Sequence, residues 1–124
     1  MMINKISQGE IWLVDFESQV GSEIAKLRPA VVINNDLGKN YDIKIILPIT
    51  TYQDKFKDIP FFYKLKEYKK LGLENASAIN CFQIKSFSSQ RFKQRLGKID
   101  EKTLFEIHQI FVEILNPFYT LKIE

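Results

Sequence analysis

Cysteine occurs once in this chain of 124 residues, at Cys81, so no internal disulfide can form. Histidine also occurs once, at His108, which excludes a ribonuclease mechanism built on two histidines. No apolar run approaches the ~20 residues needed to span a bilayer. The start, Met1-Met2-Ile3-Asn4-Lys5, lacks the continuous apolar stretch of a secretory signal. The sequence shows no metal-ligand cluster and no phosphate-cradling glycine loop, so neither a metal nor a cofactor is expected. A cytoplasmic protein that does not enter the membrane is the expectation. Internal repeats, low-complexity tracts and linkers are absent as well, which predicts one domain over residues 1–124.

A chain of this length can bury enough apolar surface to fold without disulfides or structural metal. Its ten phenylalanines are core and interface material. Cys81 reads as a small buried hydrophobe on a strand. The net charge of +3 is small, but its distribution is uneven. Lys85, Arg91, Lys93, Arg95 and Lys98 follow one another with no intervening Asp or Glu, and Phe87 and Phe92 are interleaved. That stretch suits a phosphate-bearing partner, and on charge alone a solvated basic loop suits it equally.

Strands are predicted at residues 9–16, 29–34, 43–50, 59–65 and 76–87 from runs of β-branched, aromatic and aliphatic residues. The unbroken apolar run of the second predicts burial on both faces. Residues 17–28 are polar, contain Gly21, and predict a mobile loop. Asn35-Asp36-Leu37-Gly38-Lys39-Asn40 predicts a turn, residues 51–58 an exposed loop, and residues 66–75 a loop or helical turn ending near Gly72. A short turn is expected at residues 88–91. Asp100 is a good N-cap for a helix that Pro117 ends near Asn116. Leu104, Ile107, His108, Phe111, Ile114, Leu115 and Phe118 recur at helical spacing, with Phe105, Ile110 and Val112 widening the apolar surface. Such a helix is either deeply sunk or meets a partner. Short strands before one terminal helix predict a mainly β fold, a small barrel or curled sheet with the helix packed on it.

Arg28-Pro29 leads into the second strand, and Pro48-Ile49-Thr50-Thr51 closes the third. With the Gly21-Ser22-Glu23 loop, the Asn35-Asp36 turn and the later Cys81-Phe82-Gln83-Ile84-Lys85 segment, this order resembles the MazF/PemK toxins over nearly the whole chain. The resemblance implies an SH3-like barrel with a C-terminal helix, forming a homodimer. It implies a toxin–antitoxin toxin that cuts single-stranded RNA, chiefly mRNA, as a metal-independent endoribonuclease, with a cognate antitoxin as partner. Many relatives carry an acidic residue where this chain has Phe82, and some carry glycines in place of Ile24-Ala25-Lys26.

Arg28 and Thr50 are the candidate catalytic pair. A guanidinium fork matches phosphoryl oxygens and does not titrate in the working range. The following proline biases Arg28 to extended backbone, which helps aim it. A threonine hydroxyl can donate to a non-bridging oxygen or hold the attacking group. The candidate RNA contacts are Glu23, Lys26, Thr51, Gln83, Lys85, Arg91 and Lys93, each of which also reads as an ordinary surface or strand residue. Asn35 reads as a turn residue and His108 as a packing histidine. Two other functions stay open: a poison of a protein target resembling the CcdB-type gyrase inhibitors, and a non-catalytic RNA-binding barrel.

Overall fold

A computed structural model describes residues 5–16, 26–38 and 40–117. Seven strands and one helix follow in order: β1 (Glu10–Asp15), β2 (Leu27–Val32), β3 (Ile43–Thr51), β4 (Phe62–Lys64), β5 (Ser77–Asn80), β6 (Lys85–Ser88), β7 (Phe92–Lys98) and α1 (Glu101–Leu115). The strands pair antiparallel in the order β4-β5-β3-β2-β1-β7, and β6 also pairs with β3.

The central strands are buried on both sides because successive side chains point to opposite faces. Ile11, Val31, Leu47, Ile49 and Ile79 belong to one core, beneath α1. Trp12, Val14, Ala30, Val32, Ile46 and Phe92 belong to the other. Ala30, Val31 and Val32 are each fully buried, as the apolar run of β2 predicts.

β3 is the hinge of the sheet. β2 lies along one of its edges, with Ala30 opposite Pro48, Val31 opposite Leu47 and Val32 opposite Ile46. β6 and then β5 lie along the other edge. The predicted single strand over 76–87 is therefore two strands. Between the rungs Ile46–Lys85 and Ile49–Ile79, Leu47 and Pro48 of β3 face the longer stretch 80–84. Pro48 has no N–H to give a ladder, and the interruption falls beside it. Cys81 is fully buried, but at this break rather than on a strand, and burial pushes its thiol up to about 12.

No ladder joins β4 to β7 among the described residues, so the sheet curls without closing by hydrogen bonds. A 3-10 turn at Tyr68–Leu71 packs on β7 instead. The approach is so tight that a Cβ on Gly72 would lie 2.5 Å from the Leu96 carbonyl oxygen, and one on Gly97 2.7 Å from that of Leu71. Gly72 also has φ +76°, a left-handed backbone that other residues adopt only with strain.

Two further elements differ from the prediction. β4 is shorter than predicted: the Phe62 N–H closes a turn on the Ile59 carbonyl at 3.1 Å, and Phe62 is the first residue paired with β5. β7 was not predicted: with Phe92 and Leu96 the only large apolar residues among Lys, Gln, Arg and Gly, it reads as a basic loop. The helix matches closely, and the Asp100 side chain accepts from the Thr103 N–H at 2.7 Å. Only Ile107 of α1 is fully sunk; Phe105, Val112 and Leu115 are exposed. His108 is exposed too, so it is not a packing histidine on the apolar face. Phe118 lies outside the described residues. The Tyr63 hydroxyl donates to Glu106 Oε2 at 2.6 Å and pins α1 to β4. Burial, with Glu106 accepting that proton, pushes Tyr63 up to about 12.

Candidate active site

Arg28 sits on β2, opposite Val14 of β1, and its backbone is extended ahead of Pro29. Continuing the β2–β3 register past Ala30–Pro48 by two residues on each strand reaches Arg28 and Thr50. Side chains two apart share a face, so both project on the side occupied by Ala30 and Pro48. The ladder has stopped by then. On its other edge Thr50 pairs with Ala78 of β5, while that stretch of β3 is unpaired toward β2.

Two adjoining cavities open where the strands part. The larger, about 490 Å³, is lined by Arg28, Thr50 and Thr51 together with Leu73, Glu74 and Asn75. The smaller, about 260 Å³, is lined by Arg28 and Thr50 together with Phe56, Phe62, Asn80 and Gln83. Arg28, Ile49 and Thr50 line both. A guanidinium and a hydroxyl thus share one groove, a donor set that suits an oxyanion.

The remaining predicted residues divide. Thr51 lines the larger cavity and Gln83 the smaller. Lys26 is exposed just before β2 and lines neither. Lys85 is exposed on β6, opposite Ile46. Arg91 is held: its Nη1 donates to the Asp15 carbonyl at 3.1 Å, and its guanidinium lies 5.0 Å from the Phe87 ring centroid. Lys93 Nζ donates to the Gln90 carbonyl at 2.9 Å. Asp42 clamps the turn that carries Arg91 and leads into Lys93, accepting from Ser88 Oγ at 3.0 Å and Ser89 Oγ at 2.5 Å. Those bonds hold the Asp42 carboxyl below its usual range. Arg91 and Lys93 therefore do not join the groove. Glu23 and the rest of the Gly21-Ser22-Glu23 motif lie outside the described residues.

Phe56, Phe62, Asn80 and Glu74 line the groove without having been singled out in the sequence. Their segments read as loop or as generic strand. The aromatic run Phe61-Phe62 after Pro60 is the one hint in the sequence.

Comparison with known proteins places the chain in a family. The family model for the PemK-like, MazF-like toxin of type II toxin–antitoxin systems matches residues 7–115. The chain belongs to this family. Among curated MazF relatives, Endoribonuclease MazF of Staphylococcus epidermidis is 31% identical over 102 residues, 82% of this chain and 84% of that protein. Endoribonuclease EndoA of Bacillus subtilis (strain 168) is 26% identical over 104 residues, 84% of this chain and 89% of that protein. The MazF structure from Deinococcus radiodurans superposes with a TM-score of 0.71 at 19% identity, covering 92% of this chain and 99% of the other. A mycobacterial endoribonuclease solved with its cognate antitoxin gives a TM-score of 0.70 at 16% identity, covering 91% and 98%. The curled antiparallel sheet with one C-terminal helix is thus the PemK/MazF-like fold. No helix among the described residues of this PemK/MazF-like chain is long and apolar enough to cross a membrane.

Proposed function

We propose that this family member is the RNA-cutting toxin of a type II toxin–antitoxin pair, acting on single-stranded RNA, chiefly mRNA. One observation carries the site assignment: Arg28 and Thr50 line the same two cavities at the point where β2 and β3 part. The Staphylococcus and Bacillus relatives, named endoribonucleases and aligned over most of this chain, support the activity.

Arg28 binds the scissile phosphate and stabilises the charge that builds on it. Thr50 donates its hydroxyl to a non-bridging oxygen. The ribose 2′-oxygen attacks phosphorus and loses its proton, while the bond to the 5′-oxygen breaks and that oxygen gains a proton. The products are a 2′,3′-cyclic phosphate and a 5′-hydroxyl. Alignment and preorganised donors supply the rate without a metal ion or cofactor. Thr51 and Gln83 contact the strand within the groove. Exposed Lys26 and Lys85 are RNA contacts outside the two cavities, Glu23 is a base contact on the family resemblance alone, and Arg91 and Lys93 are held on the Asp15 and Gln90 carbonyls and act by bracing the chain.

The same reading makes residues 1–124 one toxin domain working in the cytoplasm. It makes the chain a homodimer, with exposed Phe105, Val112 and Leu115 of α1 as apolar surface for a partner copy. The antitoxin complex of the mycobacterial relative supports a cognate antitoxin for this chain.

The deciding experiment incubates the purified protein with a long single-stranded RNA in EDTA and maps the fragment ends. Discrete cuts ending in cyclic phosphate are expected. Intact RNA, or equal cutting by Arg28→Ala, refutes the assignment.

A further inference from the structure

We propose, resting on the reading that Arg28 and Thr50 hold the scissile phosphate, that the smaller cavity is a pocket for one unstacked nucleobase next to that phosphate. Asn80 is its hydrogen-bond donor and the Phe56–Phe62 pair its apolar wall.

The wall is already built. The rings of Phe56 and Phe62 stack with centroids 3.9 Å apart and planes within 6°. Tyr52 meets Phe56 edge-on at 6.1 Å, and Phe61 leans on Phe62 at 5.3 Å. Phe56 is only 7% exposed, so its ring is fixed before any ligand arrives. A rigid aromatic surface beside a phosphate site suits the π-face of any base and costs little ordering on binding. A base paired in a duplex cannot reach it, which selects for single strands.

Asn80 adds direction. It is the cross-strand partner of Phe62, which puts the two side chains on one face. Its Oδ1 accepts from the Phe82 backbone N–H at 3.1 Å. A backbone N–H can only donate, so the amide oxygen must face it. With Oδ1 turned to that N–H, the NH2 is on the opposite side of the amide and is the donor Asn80 offers the cavity it lines, while Oδ1 keeps one lone pair on the Phe82 side. The matching occupant presents an acceptor to that NH2, a carbonyl oxygen or a ring nitrogen. A base edge that presents N–H at that point meets donor with donor and is rejected. Gln83 lines the same cavity, and its amide can turn either way to complete the second bond. The surplus residues at 80–84 are what bring Asn80 and Gln83 to one cavity, although they lie on either side of buried Cys81.

The test uses the full-length protein and labelled heptamer RNAs with 2′-O-methyl riboses, which cannot be cut, each position carrying each of the four bases in turn. The parent is expected to show a base preference at a position that its Asn80→Asp variant changes by roughly tenfold, with other positions unaffected. Asp keeps an acceptor for the Phe82 N–H, so the local fold is retained while the donor is lost. Phe62→Ala is expected to weaken binding roughly tenfold whatever the base. Melting curves check that both variants are folded. Preferences unchanged in Asn80→Asp, or a uniform loss at every position, overturn the pocket. Cut mapping on ordinary RNA separates the two readings. A parent that binds with this preference but never cuts refutes the nuclease assignment alone. A parent whose cut pattern survives both substitutions refutes the pocket alone.

Discussion

Arg28 and Thr50 stand two residues beyond Ala30 and Pro48, the last rung on which β2 and β3 pair. Had the ladder continued, their backbones would fill the space that is now the groove. Past that rung β2 peels away while β3 keeps β5 on its other edge, and this parting is what opens the groove.

The first consequence concerns rate. Arg28→Ala is expected to slow single-turnover cleavage by roughly 10²–10³-fold, the usual cost of losing one preorganised oxyanion donor. Arg28→Lys restores the charge without the fork and recovers only part of that loss. Thr50→Val keeps the β-branched shape, removes the hydroxyl, and slows the reaction by about tenfold or more. Quenched-flow timing of a short RNA measures all three, and a Thr50→Val rate equal to the parent's removes Thr50 from the chemistry.

The basic residues of β6 and the following turn separate by how they are held. Exposed Lys85 is expected to act as a phosphate contact, and Lys85→Ala to lower the slope of log affinity against log salt by about one. Arg91 is bound to the Asp15 carbonyl and to the Phe87 ring. Arg91→Ala should lower the melting temperature while leaving the salt slope nearly unchanged. Titrations at several salt concentrations, paired with melting curves, discriminate the two roles.

Acid sensitivity should centre on Glu10. Burial raises its carboxyl, but the Ser7 N–H, Arg95 and the Trp12 indole outweigh burial and hold it below the usual 4.5. The bonds are Ser7 N at 2.7 Å, Trp12 Nε1 at 3.2 Å and Arg95 Nε at 2.7 Å. The unfolded chain therefore takes up the proton first as pH falls. The stabilisation is complete above the unfolded value and is lost as pH drops through the lower folded one. Glu10→Ala removes the acceptor of the Trp12 and Ser7 donors, costing roughly 1–3 kcal/mol near neutral pH. It should also flatten the acid limb of the urea midpoint plotted against pH. An unaltered acid limb would assign the sensitivity elsewhere.

Gly72 should tolerate no side chain. Gly72→Ala meets the Leu96 carbonyl and forces a left-handed backbone, which alone costs roughly 1–2 kcal/mol. Because Gly72, Leu73 and Leu96 line the larger cavity, cleavage should fall together with stability. Urea denaturation and cleavage assays on the same preparation check the coupling, and full stability in Gly72→Ala would contradict the close packing.

Much of this was legible in the sequence because it rests on local chemistry. Runs of apolar and β-branched residues mark β1 to β3, and Asp100 and Pro117 bracket α1. Arg28 and Thr50 could be named because each sits in a short motif. What bears on β7, His108 and the break at residues 80–84 is non-local. β7 is a strand because β1 offers it an edge, with register shifts between Ile11 and Trp12 and between Leu13 and Val14 that no pattern within residues 92–98 encodes. His108 is exposed because Leu104, Ile107, Ile110, Phe111 and Ile114 form the face that meets the core, and His108 lies to the side of it. Phe56, Phe62 and Asn80 converge only once β4 has paired with β5.

The surplus at residues 80–84 has an evolutionary side. Both neighbouring ladders of β3 are fixed independently, β6 to its first half and β5 to its last. The arc between them can gain, lose or exchange residues while Arg28 and Thr50 stay where they are. A lineage of such proteins can therefore drift in what it reads without relearning how to cut.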